Sequence, residues 1–183
     1  MKLALFDLDG TLFNTNDVNY YAYKRALNDY GYDIDYEYFC DFCNGRNYKV
    51  FIPDLVENKE DVIEGVHDAK KKYYSLFLDK VIVNDHLFNI IKSIKNDYKI
   101  ILVTTASKKN TMEILDFTKT TKLFDDIITG DDISKPKPDP EGFNYAISKY
   151  NALPQDVIIF EDSEVGVIAA EATGANVMII DKF

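Results

Sequence analysis

Acidic and hydroxyl side chains stand directly after apolar runs at several separate places in this chain. Asp7, Asp9 and Thr11 follow Leu3-Ala4-Leu5-Phe6, Glu161 and Asp162 follow Val157-Ile158-Ile159-Phe160, and Asp131 and Asp132 follow Ile127-Ile128-Thr129-Gly130. Thr104 and Thr105 follow the run Lys99–Val103. In an open parallel sheet, ligands bind outside the carboxyl ends of the strands. If these runs are such strands, groups far apart in sequence converge on one edge. Converging carboxylates repel one another and resist burial. A hard divalent cation relieves that repulsion, and Mg²⁺ takes oxygen ligands while keeping waters and phosphate oxygens in its shell. Asp7 and Asp162 are the first candidates for side-chain ligands, with Glu161 a direct or outer one. Lys135-Pro136-Lys137-Pro138-Asp139 supplies a cation for a phosphate, on backbone that the prolines stiffen. The plainer alternative is that the acids merely form turns and caps, as Asp9-Gly10-Thr11 could do alone.

The elements that must position these groups follow from hydrophobic spacing. Leu87, Ile90, Ile91 and Ile94 predict a helix over 84–96, and Lys99–Val103 predicts a strand buried on both faces. The pattern continues as helix over 112–119, strand over 126–129, helix over 139–150, strand over 157–160, helix over 164–173 and strand over 176–180. Pro140 suits a first helical turn and Gly174 a helix end. This alternation predicts an α/β protein with a parallel sheet between helices. Between the first strand and this region the pattern is helical instead. Val18, Tyr21, Ala22, Arg25 and Ala26 share a helical spacing, as do Val62, Val66, Ala69 and Tyr73. The predicted organisation is a Rossmann-like core made of 1–14 and 81–183, with a small helical bundle, 15–80, inserted in it.

Composition narrows the function. The chain has 183 residues and a formal net charge of −10. That length suits one core with an insertion. The acidic balance argues against sequence-independent nucleic-acid binding and against an anionic membrane surface. No apolar run approaches the length of a membrane span, and Leu3–Phe6 is too short for a signal peptide. Two cysteines make no disulfide framework, so a reducing cytoplasm is expected.

Asp7-Leu8-Asp9-Gly10-Thr11-Leu12 resembles the first motif of the haloacid dehalogenase-like superfamily. Leu102-Val103-Thr104-Thr105 is similar to its second, Lys135-Pro136-Lys137-Pro138-Asp139 to its third, and Phe160-Glu161-Asp162-Ser163 with Gly166, Ala169 and Ala170 to its fourth. The motifs stand in the family's order and span nearly the whole chain. The resemblance implies that Asp7 is a nucleophile forming an aspartyl-phosphate, and that Asp9 is the general acid and then base. Asp9 would also offer its backbone carbonyl to Mg²⁺, beside Asp7, Asp162 and Glu161. Thr104, or Thr105 in the alternative register, and Lys135 would hold phosphoryl oxygens. A second acid at Asp9 favours phosphoryl transfer over dehalogenation, because a halide needs no proton.

The inserted bundle sits where the family places a C1-type cap. Arg46 and Lys49, in the loop Gly45–Lys49, and Lys71 and Lys72 are the candidates to touch substrate, although a Lys70-Lys71-Lys72 run also suits a solvated helix face. The implied function is Mg²⁺-dependent hydrolysis of a small phosphorylated metabolite (a sugar phosphate, a phosphoglycolate-like acid or a nucleotide) by a monomer or weak dimer. Alternatives are a β-phosphoglucomutase-like mutase and a non-catalytic binding module on the same fold. The Cys40-Asp41-Phe42-Cys43 spacing lacks further zinc ligands, so both cysteines are expected in the bundle core, with Tyr36, Tyr38, Phe39 and Phe42. His67 and His86 are expected to be structural.

Overall fold

The computed structural model describes residues 1–181. In chain order the elements are β1 (Leu3–Phe6), β2 (Phe13–Asn14), α1 (Asn16–Asn28), α2 (Tyr36–Tyr38), α3 (Tyr48–Leu55), α4 (Glu60–Tyr73), β3 (Ile82–Val83), α5 (Asp85–Ile94), β4 (Lys99–Val103), α6 (Lys108–Phe117), β5 (Asp126–Ile128), α7 (Glu141–Lys149), β6 (Val157–Glu161), α8 (Glu164–Glu171) and β7 (Asn176–Ile179). The chain divides into two compact units: one comprises Met1–Asn14 and the chain from Val83 onward, the other Thr15–Ile82. The core segment expected from sequence runs to 183, and its last two residues lie outside the described residues.

The first unit is an α/β sandwich around a five-stranded sheet in the order β5-β4-β1-β6-β7. Every pairing is parallel. β1 is central, and its four residues are fully buried, as a strand covered on both faces must be. Leu3, Leu5, Ile101, Val103, Val157 and Ile159 face Phe143, Ala146, Ile147, Ala169 and Ala170 of α7 and α8 in one apolar cluster. Ala4, Phe6, Ile100 and Leu102, of opposite parity, are buried as well. Register pairs Phe6 with Phe160, and their rings stack at 4.3 Å, a contact worth about 1 kcal/mol beyond its area.

Chain connections run outward from β1 to β4 and β5, then return past it to β6 and β7. The order therefore reverses between β1 and β6, and that is where an open α/β sheet offers its crevice. Asp7 and Glu161 stand on the two sides of this reversal.

Most predicted elements lie within two or three residues of the observed ones. α6 is the exception, starting at Lys108 rather than 112. Its first turn, Lys108-Lys109-Asn110, carries no apolar periodicity, and it is capped by Ser107, whose hydroxyl accepts the Asn110 N–H at 3.3 Å.

The second unit is helical, with a core of Tyr20, Tyr23, Leu27, Ile34, Phe39, Cys43, Phe51, Ile52, Val56 and Val66 among others. Two expectations are corrected here. α1 buries Tyr20 and Tyr23, whereas Tyr21 is exposed. Of the aromatic group, Phe39 is core, but Tyr36, Tyr38 and Phe42 lie on the surface. Phe42 lies in a π-helical turn over Phe39–Cys43, whose wider winding takes it off the 3.6-residue face that buries Phe39. Among the described residues, no helix is long and apolar enough to cross a membrane.

Candidate functional site

Parallel strands bring their carboxyl ends to one edge of the sheet, and the acids collect there. Asp7 follows β1, with its N–H donating to the Phe160 carbonyl at 3.0 Å. Glu161 is the last residue of β6, and Asp162 follows it. One carboxylate oxygen from each of Asp7, Glu161 and Asp162 falls within 4.8 Å of the others. Asp7 and Glu161 are buried and Asp162 is half-buried.

A lysine is wedged into this cluster, and it is Lys137. Its Nζ donates to Asp7 Oδ1 and, at 2.6 Å, to Glu161 Oε2, and its side chain is only 9% exposed. Its ammonium also stands 5.1 Å from the Phe143 ring centroid. Burial disfavours the ammonium, but the Asp7 and Glu161 charges and hydrogen bonds outweigh it and hold Lys137 above its ordinary range. Lys135, the expected phosphate ligand, is corrected: it points to solvent, 71% exposed, and meets Asp139 at 3.7 Å. The segment contains two Lys-Pro dipeptides two residues apart, so spacing could not distinguish them. The structure carries the second one inward, just ahead of α7.

Glu161 has little room for another ligand. Its Oε2 takes Lys137, while Oε1 accepts the Ser163 hydroxyl at 2.9 Å and the Ser163 N–H at 3.2 Å. It therefore orients Lys137. Asp162 Oδ1 accepts the Thr11 hydroxyl at 2.8 Å. The Thr11 loop is tied in turn to Asn84, which donates Nδ2 to the Thr11 carbonyl at 3.0 Å and caps α5 by accepting the Leu87 N–H. Thr11 and Ser163 fall inside the quoted motifs without a role of their own, and Asn84 carries no sequence signal, because it resembles an ordinary helix cap.

Two glycines make the cluster possible. Gly10 has φ +90°, and a Cβ there would overlap the Asp162 carboxylate. At Gly166, in the first turn of α8, a Cβ would overlap the Glu161 carboxylate.

The charge balance of the cluster bears on what it could hold. Three carboxylates face one ammonium, which leaves two negative charges uncompensated when all are ionised. Burial raises the Asp7 carboxyl well above its usual range against the pull of Lys137, and Glu161 and Asp162 push in the same direction. Burial, with Glu161, lifts Asp162 to about 6, although the Thr11 hydrogen bond opposes this. A hard divalent cation fits that excess and the all-oxygen donor set. Asp7 and Asp162 are the residues that would hold it.

The remaining candidates separate clearly. Thr104 follows β4 on the same edge, buried, its N–H donating to the Ile128 carbonyl at 3.0 Å and its hydroxyl accepting the Ala106 N–H at 3.0 Å. Thr105 is exposed. Asp9 lies half-buried in the turn after β1, where Gly10 N–H donates to the Phe13 carbonyl at 2.8 Å. Asp131 and Asp132 do not join the cluster: Asp131 accepts the Lys108 N–H, and Asp132 accepts the Thr129 N–H and hydroxyl. Arg46, Lys49, Lys71 and Lys72 all belong to the helical unit. There Lys49 lies 3.9 Å from Glu64 and Lys71 3.7 Å from Asp68, while Arg46 and Lys72 are exposed. His67 stacks on Tyr48 at 3.5 Å, and burial, with Lys71 and Lys70, lowers it to about 4.

Comparison with known proteins shows the family and the fold. Residues 4–180 match the family model described as haloacid dehalogenase-like hydrolase. A phosphorylated carbohydrates phosphatase of Thermotoga maritima is 30% identical over 180 residues, which are 95% of this chain and 82% of that protein. The validoxylamine A 7'-phosphate phosphatase of Streptomyces hygroscopicus subsp. limoneus is 31% identical over 176 residues, 94% of this chain and 82% of that protein. The crystal structure of CbbY from Rhodobacter sphaeroides in complex with phosphate has the same fold, with a TM-score of 0.86 at 23% identity, covering 100% of this chain and 88% of that one.

Proposed function

The chain belongs to the haloacid dehalogenase-like hydrolase family and is a phosphatase, and from that premise we propose that it hydrolyses a small phosphomonoester with Mg²⁺ through an aspartyl-phosphate on Asp7. The observation that carries this reading is the Lys137 ammonium held between Asp7 and Glu161, with Asp162 alongside. A nucleophilic carboxylate must meet a dianionic phosphate, and fixed positive charge at that point removes the repulsion.

In the first step Asp7 Oδ forms a bond to phosphorus as the ester P–O bond breaks, and Asp9 gives its proton to the departing oxygen. In the second, Asp9 takes a proton from water, the water oxygen bonds to phosphorus, and Asp7 leaves with its carboxylate restored. Lys137 and the Thr104 hydroxyl hold phosphoryl oxygens, with Thr105 lining the same edge. The Asp7 and Asp162 side chains and the Asp9 carbonyl would hold the cation, which when bound would supply neutralising charge for the transferring group. Glu161 keeps Lys137 aimed. The helical unit is inserted in the sequence where the family places a cap, and its cations Arg46, Lys49, Lys71 and Lys72 are the candidates to select the leaving group. A relative named for phosphorylated carbohydrates makes a sugar phosphate the first substrate class to try.

The test is phosphate release from a panel of phosphomonoesters with Mg²⁺ and with EDTA, for the natural chain and Asp7→Asn. The expected result is Mg²⁺-dependent release that falls at least 10³-fold in Asp7→Asn, on the order of a lost nucleophile. Wild-type turnover by Asp7→Asn refutes the covalent route, and an isomeric sugar phosphate in place of free phosphate makes the protein a mutase.

A further inference from the structure

The segment that delivers Lys137 has an unusual construction. Residues 134–136 are exposed and belong to no helix or strand, yet Lys137 must be buried and aimed. Pro136, Pro138 and Pro140 each remove a backbone donor from this segment. Two of the N–H groups that remain, those of Ser134 and Lys135, end on one side chain. Glu141 Oε1 accepts the Ser134 N–H at 2.8 Å and the Ser134 hydroxyl at 2.9 Å, and Oε2 accepts the Lys135 N–H at 2.9 Å and the Ser134 hydroxyl at 3.0 Å.

Glu141 is itself anchored. It opens α7, its N–H donates to Asp139 Oδ1 at 3.0 Å, and the next residues, Gly142 and Phe143, are buried against the sheet. At Gly142 a Cβ would meet Val103 Cγ1 at 3.2 Å, so this helix start is packed closely on β4. The carboxylate thus links a rigid helix to the near arm of the lysine segment. Those hydrogen bonds hold Glu141 below the usual carboxylate range.

We propose that Glu141 is a positioning residue for Lys137: by clamping the Ser134 and Lys135 amides to the start of α7, it fixes the proline-rich segment so that the ammonium reaches Asp7 and Glu161. This rests on the phosphatase reading above, and it assigns a role to a residue outside the acid cluster. A carboxylate with both oxygens free to accept is required. Glutamine offers one acceptor and turns an NH₂ toward a donor, so it can hold only one of the two arms.

The experiment combines amide hydrogen exchange with a double-mutant cycle on the full chain. In Glu141→Ala the Ser134 and Lys135 amides should exchange at least 10-fold faster, while the strand amides of 3–6 and 157–161 keep their protection. The same variant should lose about 10-fold in kcat with KM changed less than 2-fold, and Glu141→Gln should fall between it and the natural chain. If Glu141 acts through Lys137, adding Glu141→Ala to Lys137→Ala costs less than 2-fold further. Unchanged exchange at Ser134 and Lys135 overturns the clamp. Additive losses in the double variant overturn the route through Lys137. Should the natural chain release no phosphate from any ester, the phosphatase reading fails, while the exchange data still decide the clamp.

Discussion

Gly166 stands so close to Glu161 that a single methyl group on its Cα would occupy the space of the Glu161 carboxylate. The start of α8 therefore has no side chain where the buried acid lies. Glu161 uses that space to hold Lys137, so a glycine on a helix governs the aim of a cation on another element.

Gly166→Ala should accordingly lower activity at a distance. Alanine favours helix by about 0.5–1 kcal/mol, but overlap with a buried, fully bonded acid costs about 1–3 kcal/mol. Urea denaturation should show a net loss of about 1 kcal/mol, and kcat should drop about 10-fold or more. A variant as stable and as active as the natural chain would show that Glu161 can move without consequence.

Lys137 and Lys135 should behave oppositely. Lys137→Ala leaves Asp7 and Glu161 without their cation, and kcat should fall about 10²–10³-fold. Breaking a buried pair should also destabilise the cation-free protein, by about 3 kcal/mol at neutral pH. Lys135→Ala removes an exposed side chain and should stay within about 0.5 kcal/mol and 2-fold in kcat. Equal losses for both variants would contradict the placement of the two lysines.

The acid cluster makes stability depend on pH in a direction that Mg²⁺ should reverse. Asp162, lifted to about 6 from 3.8, binds its proton more tightly folded than unfolded. That contribution is full below 3.8 and is lost as pH rises through about 6, and the raised Asp7 carboxyl acts in the same direction. In EDTA, these two groups make the protein more stable near pH 5 than near pH 7.5. A cation needs both carboxylates ionised, so the Tm gain from millimolar Mg²⁺ should be large at pH 7.5 and small at pH 5. A Tm gain independent of pH, or one retained in Asp162→Asn, would remove these acids from the cation site.

The two cysteines should differ in reactivity. Cys43 is buried, and burial pushes its thiol up to about 11, whereas Cys40 is half-buried. With a thiol reagent at pH 8, one equivalent should react quickly in the native protein and the second only on unfolding. Cys40→Ser should abolish the fast phase; if Cys43→Ser does so instead, the two environments are reversed.

The sequence by itself determined the class of the fold and the chemical character of the site. Continuous apolar runs such as Ile100–Val103 and Val157–Phe160 have only one economical arrangement, a parallel sheet covered on both faces. That arrangement sends Asp7, Thr104 and Glu161 to one edge whatever the loops do. Tertiary structure decided what periodicity cannot encode. Lys135 and Lys137 have the same parity in an extended segment, and only the folded chain turns Lys137 inward to Asp7 and Glu161. Asp131 and Asp162 both follow apolar strands, but hydrogen bonding spends the first on the Lys108 amide and leaves the second at the cluster. Residues such as Thr11, Asn84, Ser163 and Glu141 act through contacts made across long stretches of chain or around a helix start. Local spacing has no term for such contacts, so their roles emerge only when the chain is folded.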